Sequence, residues 1–317
     1  MGVTAGSGDA ARAVAGPDAA DTAVISCRSV VKRFGPVRAL DGLDLSVRRG
    51  TVVGFLGPNG AGKSTTIRIL LDLARPDAGT VRVLGSDPHR AGPPLRRRIG
   101  YLPGELRLDE RLTVDETLRS WARLRGGVDP GYVDELCERL DLDRTRRTRG
   151  LSSGNRRKVG LVGALMARPE LLILDEPTSG IDPLVQAELA ALLEEVRAEG
   201  RTVFLSSHML SEVQRSADEV IVIRAGKVVA SGPLDTLRRT ARQAFTVWFR
   251  GDVPTAELHA APGVVELTVR EQQASGIVEG DPNGLLAVLA RHDVEHLVLA
   301  EPDLEQAFLH YYTEGGS

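Results

Sequence analysis

Eight consecutive residues, Gly57-Pro58-Asn59-Gly60-Ala61-Gly62-Lys63-Ser64, fit the pattern G-x-x-x-x-G-K-[ST], and Thr65 follows them. Glycines at that spacing let backbone N–H groups curl around phosphate oxygens, and a helix starting behind them adds partial positive charge. Lys63 is spaced to reach the β- and γ-phosphates of a nucleotide, and the Ser64 hydroxyl to ligate Mg²⁺. A Gly-rich loop with a chance lysine would lack the flanking elements. Here residues 51–56 read as a buried strand, and residues 62–73 carry Ile67, Leu70 and Leu71 at helical spacing.

A second chemical cluster lies at Leu171-Leu172-Ile173-Leu174-Asp175-Glu176-Pro177, an apolar strand ending in two carboxylates. Asp175 could hold Mg²⁺ through a water, and Glu176 could polarise the attacking water as general base. Taken alone, the same residues fit a strand running into a solvated turn. His208 closes the next apolar strand, Phe204-Leu205-Ser206-Ser207-His208. A histidine there can contact a γ-phosphate and hold the catalytic water, although a lone histidine is more often structural. Leu151-Ser152-Ser153-Gly154-Asn155 ends twenty residues before Asp175 and precedes a helix predicted to begin near Arg156.

These residues need rigid supports. Short apolar runs at 171–174, 202–205 and 220–223 alternate with helical patterns, which predicts a largely parallel sheet covered on both faces. Residues 112–168 read as mainly helical, with Thr113 and Asp115 placed as caps before Glu116. Beyond residue 241 the pattern predicts strands at 245–249, 264–269 and 296–299 and helices near 282–290 and 303–312, a small α+β unit. Its apolar set includes Phe245, Trp248, Leu285, Leu289, Phe308 and Tyr312. Residues 1–22 have only Val3 and Val14 as large aliphatics and are expected to form a disordered tail.

Composition bounds the function. A chain of 317 residues suggests two domains, and 42% hydrophobic residues suffice for buried cores. Net charge is −3, with no long basic run, which argues against duplex nucleic acid as a partner. The charge is uneven: from residue 241 four arginines face twelve carboxylates, a net −8 that leaves +5 for residues 1–240. That shift marks a candidate domain boundary. Short basic stretches at 96–98 and 144–149 lack interleaved aromatics and read as solvated helix faces. Cys27 and Cys137 stand far apart with no C-x-x-C or Cys/His cluster, which disfavours a disulfide scaffold or structural zinc. No apolar run reaches the roughly 18 residues of a membrane span, and the start lacks the pattern of a secretory signal. The expected compartment is the cytosol.

The order of phosphate loop, Leu-Ser-Ser-Gly-Asn, Asp175-Glu176, Ser179-Gly180-Ile181-Asp182 and His208 resembles the ATP-binding cassette (ABC) ATPases over about residues 24–240. More closely, the text Leu-Ser-Ser-Gly-Asn-Arg-Arg-Lys and the acidic extension, with Glu301-Pro302-Asp303-Leu304 near its end, resemble ATPase subunits of bacterial multidrug exporters of the daunorubicin-resistance type. The resemblance implies an α/β fold: a P-loop NTPase core with an antiparallel edge region, a helical subdomain at about 104–168, and a small C-terminal α+β domain at 241–317. It implies ATP and Mg²⁺ as cofactors, with Glu176 and His208 catalytic and Ser64 and Asp175 on the metal. It implies a homodimer or paired cassette in which Ser152, Ser153, Gly154 and Asn155 meet the partner's ATP, while Asp182 couples the two sites. Phe34 holds the position that stacks on adenine in the family, usually Tyr, with a plain core Phe as the alternative. A separate transmembrane permease and a peripheral place on the cytoplasmic face of the bacterial plasma membrane follow from the same resemblance.

Three departures stand out. Ser153 replaces the usual Gly, Asn155 replaces Gln, and Gly104 falls where the family has a Gln that ligates Mg²⁺. Glu105, one residue on, is the candidate substitute. Rival ATPases fit less well. The interval from Ser64 to Ser152 is 88 residues, too short for the long coiled coils of chromosome-maintenance relatives, and one phosphate loop excludes a tandem cassette. A cassette that regulates a membrane partner without transport remains the alternative function.

Overall fold

The computed structural model describes residues 23–234 and 242–300. The expected tail at 1–22, the helix near 303–312 and the apolar positions Phe308 and Tyr312 lie outside the described residues.

The centre is a six-stranded sheet in the order β5-β6-β7-β3-β8-β9. Its strands are β3 (Val52–Leu56), β5 (Ile99–Leu102), β6 (Leu171–Asp175), β7 (Thr202–Ser207), β8 (Glu219–Arg224) and β9 (Lys227–Pro233). All neighbours run parallel except β9, which pairs antiparallel with β8. Side chains alternate between two buried faces, as a covered parallel sheet requires. Val53, Phe55, Ile173, Phe204 and Ile221 enter one core, and Val52, Leu56, Leu172, Leu174 and Leu205 the other. Phe55 and Phe204 meet on the first face with ring centroids 5.1 Å apart.

That first core is closed by an antiparallel sheet in the order β2-β1-β4, built from β1 (Ala23–Phe34), β2 (Val37–Arg48) and β4 (Ala78–Val83). The helix α1 (Lys63–Leu70) packs between the sheets, burying Ile67, Ile69 and Leu70. Helix α2 (Pro88–Arg97) was not visible in the apolar pattern; Asp87 caps it, and it kinks at Gly92 before Pro93 and Pro94.

The second core is covered by α3 (Val114–Leu124), α4 (Pro130–Arg139), α5 (Ser153–Leu165) and α6 (Pro183–Ala198). Thr113 and Glu116 form a reciprocal capping box at the start of α3, which satisfies two otherwise open donors. Helix α5 starts earlier than the expected Arg156, because Ser152 caps it by accepting from Asn155 N at 3.2 Å. A Cβ on Gly100 of β5 would lie 2.2 Å from Ala164 O, so strand and helix α5 approach as closely as only glycine allows. The short α7 (Leu210–Gln214) follows β7.

Residues 242–300 form a separate four-stranded antiparallel sheet, β11-β12-β10-β13. Its strands are β10 (Arg242–Phe249), β11 (Val264–Arg270), β12 (Gln273–Glu279) and β13 (Val294–Leu299), and it carries α8 (Thr255–Ala260) and α9 (Asn283–Leu289). Phe245, Val247 and Phe249 share a core with Leu258, Leu285 and Leu289. Two elements of this unit, α8 and β12, were not expected from the sequence. Trp248 is not part of that core and meets His296 in a tilted ring contact, with centroids 5.2 Å apart. Among the described residues no helix is long and apolar enough to cross a membrane.

Candidate nucleotide site

Residues 57–62 turn directly from β3 into α1. Glycine is required at two points of this turn. Gly62 has φ 114°, and a Cβ there would meet Ala39 O and Leu40 at 2.8 Å; a Cβ on Gly57 would lie 2.4 Å from Ile223 O. Gly62 caps α1 without any side-chain hydrogen bond, and no acidic residue occupies the first turn. The helix start is thus left with open N–H donors and a positive dipole end, both suited to an anion.

An open cleft of about 510 Å³ lies over this turn, lined by Pro58, Asn59, Gly60, Gly62, Lys63, Ser64 and Thr65. Asp175, Glu176 and His208 line it too, brought in by the ends of β6 and β7. Lys63 is buried, donates from Nζ to Gly57 O at 2.6 Å, and stands 3.4 Å from Glu176 Oε1. The other Glu176 oxygen, Oε2, lies 2.6 Å from His208 Nδ1. Glu176 has φ 53°, a left-handed backbone uncommon outside glycine. Its N–H is held by Ser206 O at 3.1 Å and Ser206 Oγ at 3.2 Å. The same hydroxyl donates to Asp175 Oδ1 at 2.5 Å, inside the core.

Both Ser64 and Asp175 line the cleft, and a hydroxyl with a carboxylate is the hard-oxygen set that a small divalent cation takes. The described residues hold no cluster of three His, Cys, Asp or Glu able to cage a metal. Mg²⁺ keeps several waters and is shared with substrate phosphates, so few protein oxygens are needed to hold it. The residues present therefore suit Mg²⁺ bound together with nucleotide.

Other expected residues lie elsewhere. Glu105 does not enter the cleft: its side chain is 90% exposed and 4.0 Å from Arg107. Gly104 lines the cleft instead, and a Cβ on it would sit 3.1 Å from Asp175 Oδ2. Phe34 is 49% exposed under Lys32 Nζ, not in the core. It is not among the lining residues, but its strand partner Val37 is, with Arg38 and Ala39. Ala61 is buried behind the turn. None of Ser152, Ser153, Gly154 and Asn155 lines this cleft. They form the start of α5, where a Cβ on Gly154 would meet Gly180 O at 2.6 Å. Asp182 caps α6, accepting from Val185 N at 3.0 Å, and that backbone bond holds its carboxyl below the usual range.

Sequence reasoning missed Val37, Arg38, Ala39 and Arg157 as lining residues. Arg157 could have been suspected from its place two residues past Asn155 on a helix heading for the core. A second groove of about 700 Å³ runs past the end of α1, β4 and α2 and holds none of the phosphate-loop residues.

The chain matches the family profile described as ABC transporter over residues 40–179. It is 39% identical over 307 residues to the daunorubicin resistance ATP-binding protein DrrA3 of Streptomyces coeruleorubidus, covering 92% of this chain and 96% of that one. It is 36% identical over 223 residues to the bacitracin transport ATP-binding protein BcrA of Bacillus licheniformis, covering 69% of this chain and 73% of that one. A solved ATP-binding subunit of an ABC transporter superposes with TM-score 0.63 at 31% identity, over 68% of this chain and 92% of that one. The fold, the cleft and this likeness over nearly the whole length agree: the chain belongs to the ATP-binding subunits of ABC transporters and resembles the daunorubicin-resistance type.

Proposed function

We propose that this chain binds MgATP in the cleft over residues 57–65 and hydrolyses it as one of a pair of cassettes, energising a separate membrane permease that exports a drug or antibiotic. The observation that carries the chemistry is the cluster of Lys63, Glu176 and His208, linked at 3.4 Å and 2.6 Å in the mouth of the phosphate turn. Lys63 and the open N–H groups of α1 hold the phosphates. Ser64 and Asp175 would hold Mg²⁺, whose positive charge would offset that of the phosphates. Glu176 takes the proton of the attacking water, and His208 keeps Glu176 and the γ-phosphate in register.

A paired arrangement is supported by the start of α5. It carries Ser152 to Asn155 outside the chain's own cleft and has no acidic residue in its first turn, so its dipole is free to meet the phosphate of a partner. Asp182, at the start of α6 beside that segment, then connects the two sites. The unit at 242–300 contains none of these residues and is read as an accessory domain of the pair. Peripheral attachment to the membrane through the permease follows. The export reading leans on the daunorubicin resistance and bacitracin transport relatives.

Purified chain should release phosphate from ATP only with Mg²⁺, and Lys63→Ala should weaken nucleotide binding by about tenfold or more, the value of a charge-assisted contact. Co-expression with a membrane permease that it partners should lower cellular accumulation of a fluorescent anthracycline. Hydrolysis without any change in accumulation would favour a regulatory cassette over an exporter. Absence of Mg²⁺-dependent hydrolysis would overturn the ATPase reading.

A further inference from the structure

Arg157 sits in the second turn of α5 and lines the nucleotide cleft together with the phosphate turn. Its guanidinium makes three hydrogen bonds, all to main-chain carbonyls. Nη1 donates to Pro103 O at 3.2 Å and to Asp175 O at 3.1 Å, and Nη2 donates to Gly104 O at 3.0 Å. The first and last acceptors belong to the loop after β5, and the middle one is the end of β6. One side chain therefore ties the loop to the strand that presents Asp175. Among the described residues it forms no ion pair with a carboxylate. Burial pulls its pKa down, and the nearby charges of Asp175 and Glu176 act against that shift.

The loop it holds is the one that lacks a side chain at Gly104. The main chain there lies so close to Asp175 that a Cβ would be 3.1 Å from Oδ2. Loop and carboxylate are thus within van der Waals reach, but no side chain of residue 104 can join the loop to the site. Arg157 makes that join from another element. Three carbonyls converging on one side chain match the planar fork of a guanidinium, and an ammonium on a flexible stem does not reproduce it.

Ser152, the cap of α5, stands five residues upstream of Arg157, about 7.5 Å along the helix axis at 1.5 Å per residue. The start of the intervening turn is bridged twice, with Asn155 N donating to Ser152 Oγ and Arg156 Nε donating to Leu151 O at 3.1 Å. Displacement of one end of such a turn is passed to the other.

We propose that Arg157 is a positioning residue that couples the start of α5 to the metal side of the chain's own nucleotide cleft, by pinning the main chain of Pro103 and Gly104 to the end of β6. The proposal rests on the ATPase reading above. In it, contact between the start of α5 and a partner's nucleotide shifts α5, and Arg157 carries that shift to the Asp175 carbonyl and to the loop against the Asp175 carboxylate. Arg157 itself touches neither phosphate nor metal.

The test uses the full chain as wild type, Arg157→Met and Arg157→Lys. ATP affinity, the Mg²⁺ concentration for half-maximal rate, and kcat and KM for ATP are measured in each. Arg157→Met should bind ATP within about threefold of wild type, because no phosphate contact is lost. Its kcat should fall at least about tenfold, within the roughly hundredfold that ångström-scale misplacement causes, with KM little changed. Its half-maximal Mg²⁺ concentration should rise severalfold as Asp175 loses its fixed setting. Arg157→Lys should recover only part of kcat.

A kcat for Arg157→Met within twofold of wild type, at an unchanged Mg²⁺ requirement, overturns the proposal. So does an ATP affinity that falls in step with kcat, which would make Arg157 a nucleotide ligand. Full activity in Arg157→Lys shows that charge alone suffices and overturns the fork; that variant decides the matter if Arg157→Met fails to fold. A wild type without hydrolysis overturns the ATPase reading and the proposal together, and is told apart because it appears before any substitution is made.

Discussion

Replacing Glu176 by Gln separates what the carboxylate does to water from what it does to Lys63. The side chain keeps its size, and an amide oxygen can still accept from His208 across the 2.6 Å now spanned by Oε2. Ser206 still holds the residue's N–H. What vanishes is the charge. General-base catalysis contributes about a hundredfold to ten-thousandfold. At 1.36 kcal/mol per tenfold, that is about 2.7 to 5.4 kcal/mol of barrier. Lys63 responds in the opposite sense. At 3.4 Å and an effective dielectric of about 20, Glu176 attracts it by about 5 kcal/mol, in competition with any phosphate. Removing that competitor leaves ATP bound as tightly as before or tighter. The expected result is a kcat lowered at least a hundredfold with an ATP Kd no weaker than wild type. The assays are single-turnover phosphate release and displacement of a fluorescent nucleotide. A kcat within tenfold of wild type would remove Glu176 from the base role. An ATP affinity weakened tenfold or more would mean that the carboxylate does not oppose phosphate binding at all.

Ser206→Ala removes a buried donor to Asp175 Oδ1, and hydrogen bonds to charged groups are worth about 1.5 to 3 kcal/mol; a urea titration should show the midpoint falling with an unchanged slope. Burial pushes the Cys27 thiol from 9.0 up to about 12, and burial raises Cys137 as well, so Ellman's reagent at pH 8 should find no fast-reacting thiol in the folded chain and two after denaturation. The folded state then holds the Cys27 proton longer than the unfolded one, so this contribution to stability is complete below pH 9 and lost as pH climbs toward 12; urea midpoints that fall less steeply above pH 9 in Cys27→Ala than in wild type would confirm the sign. A chain ending near Arg239 should bind ATP with near-normal affinity, since among the described residues none beyond 234 lines the cleft, and isothermal titration checks this; loss of binding in a folded truncation would refute it.

Much of the site can be read in the sequence because its parts are local. Residues 57–65 run from one strand end into one helix, and Asp175 with Glu176 are neighbours at a strand end, so their spacing alone brings these groups toward one cleft. The parallel sheet is equally legible, since β3, β6 and β7 are short apolar runs buried on both faces. What escapes is what tertiary contact decides. Arg157 reads as one more surface arginine until the loop at Pro103 and Gly104 folds beneath it. Glu105 looks adjacent to the metal side, yet one residue of shift turns its side chain to solvent. Helix α2 is hidden by Gly92, Pro93 and Pro94, residues that argue against a helix unless it kinks there. In the C-terminal unit, β12 contains Gly276, where a Cβ would meet Glu266 O at 2.0 Å; the glycine that permits close strand approach also weakens the strand pattern.

The left-handed backbone of Glu176 sets main-chain strain against the electrostatics of the cleft at one position. A side chain in that conformation costs on the order of 1 kcal/mol that glycine would not. The two bonds from its N–H to Ser206 hold it there. Glycine at this position would suit the main chain better and remove the carboxylate that faces Lys63 and His208. That relief, on the order of 1 kcal/mol, is smaller than the attraction of about 5 kcal/mol that buried Lys63 would lose with the acid. Thermal tolerance and the proposed turnover therefore both favour keeping the acid at this position. Consensus-style stabilisation of this chain should leave residue 176 fixed and look for its gains elsewhere.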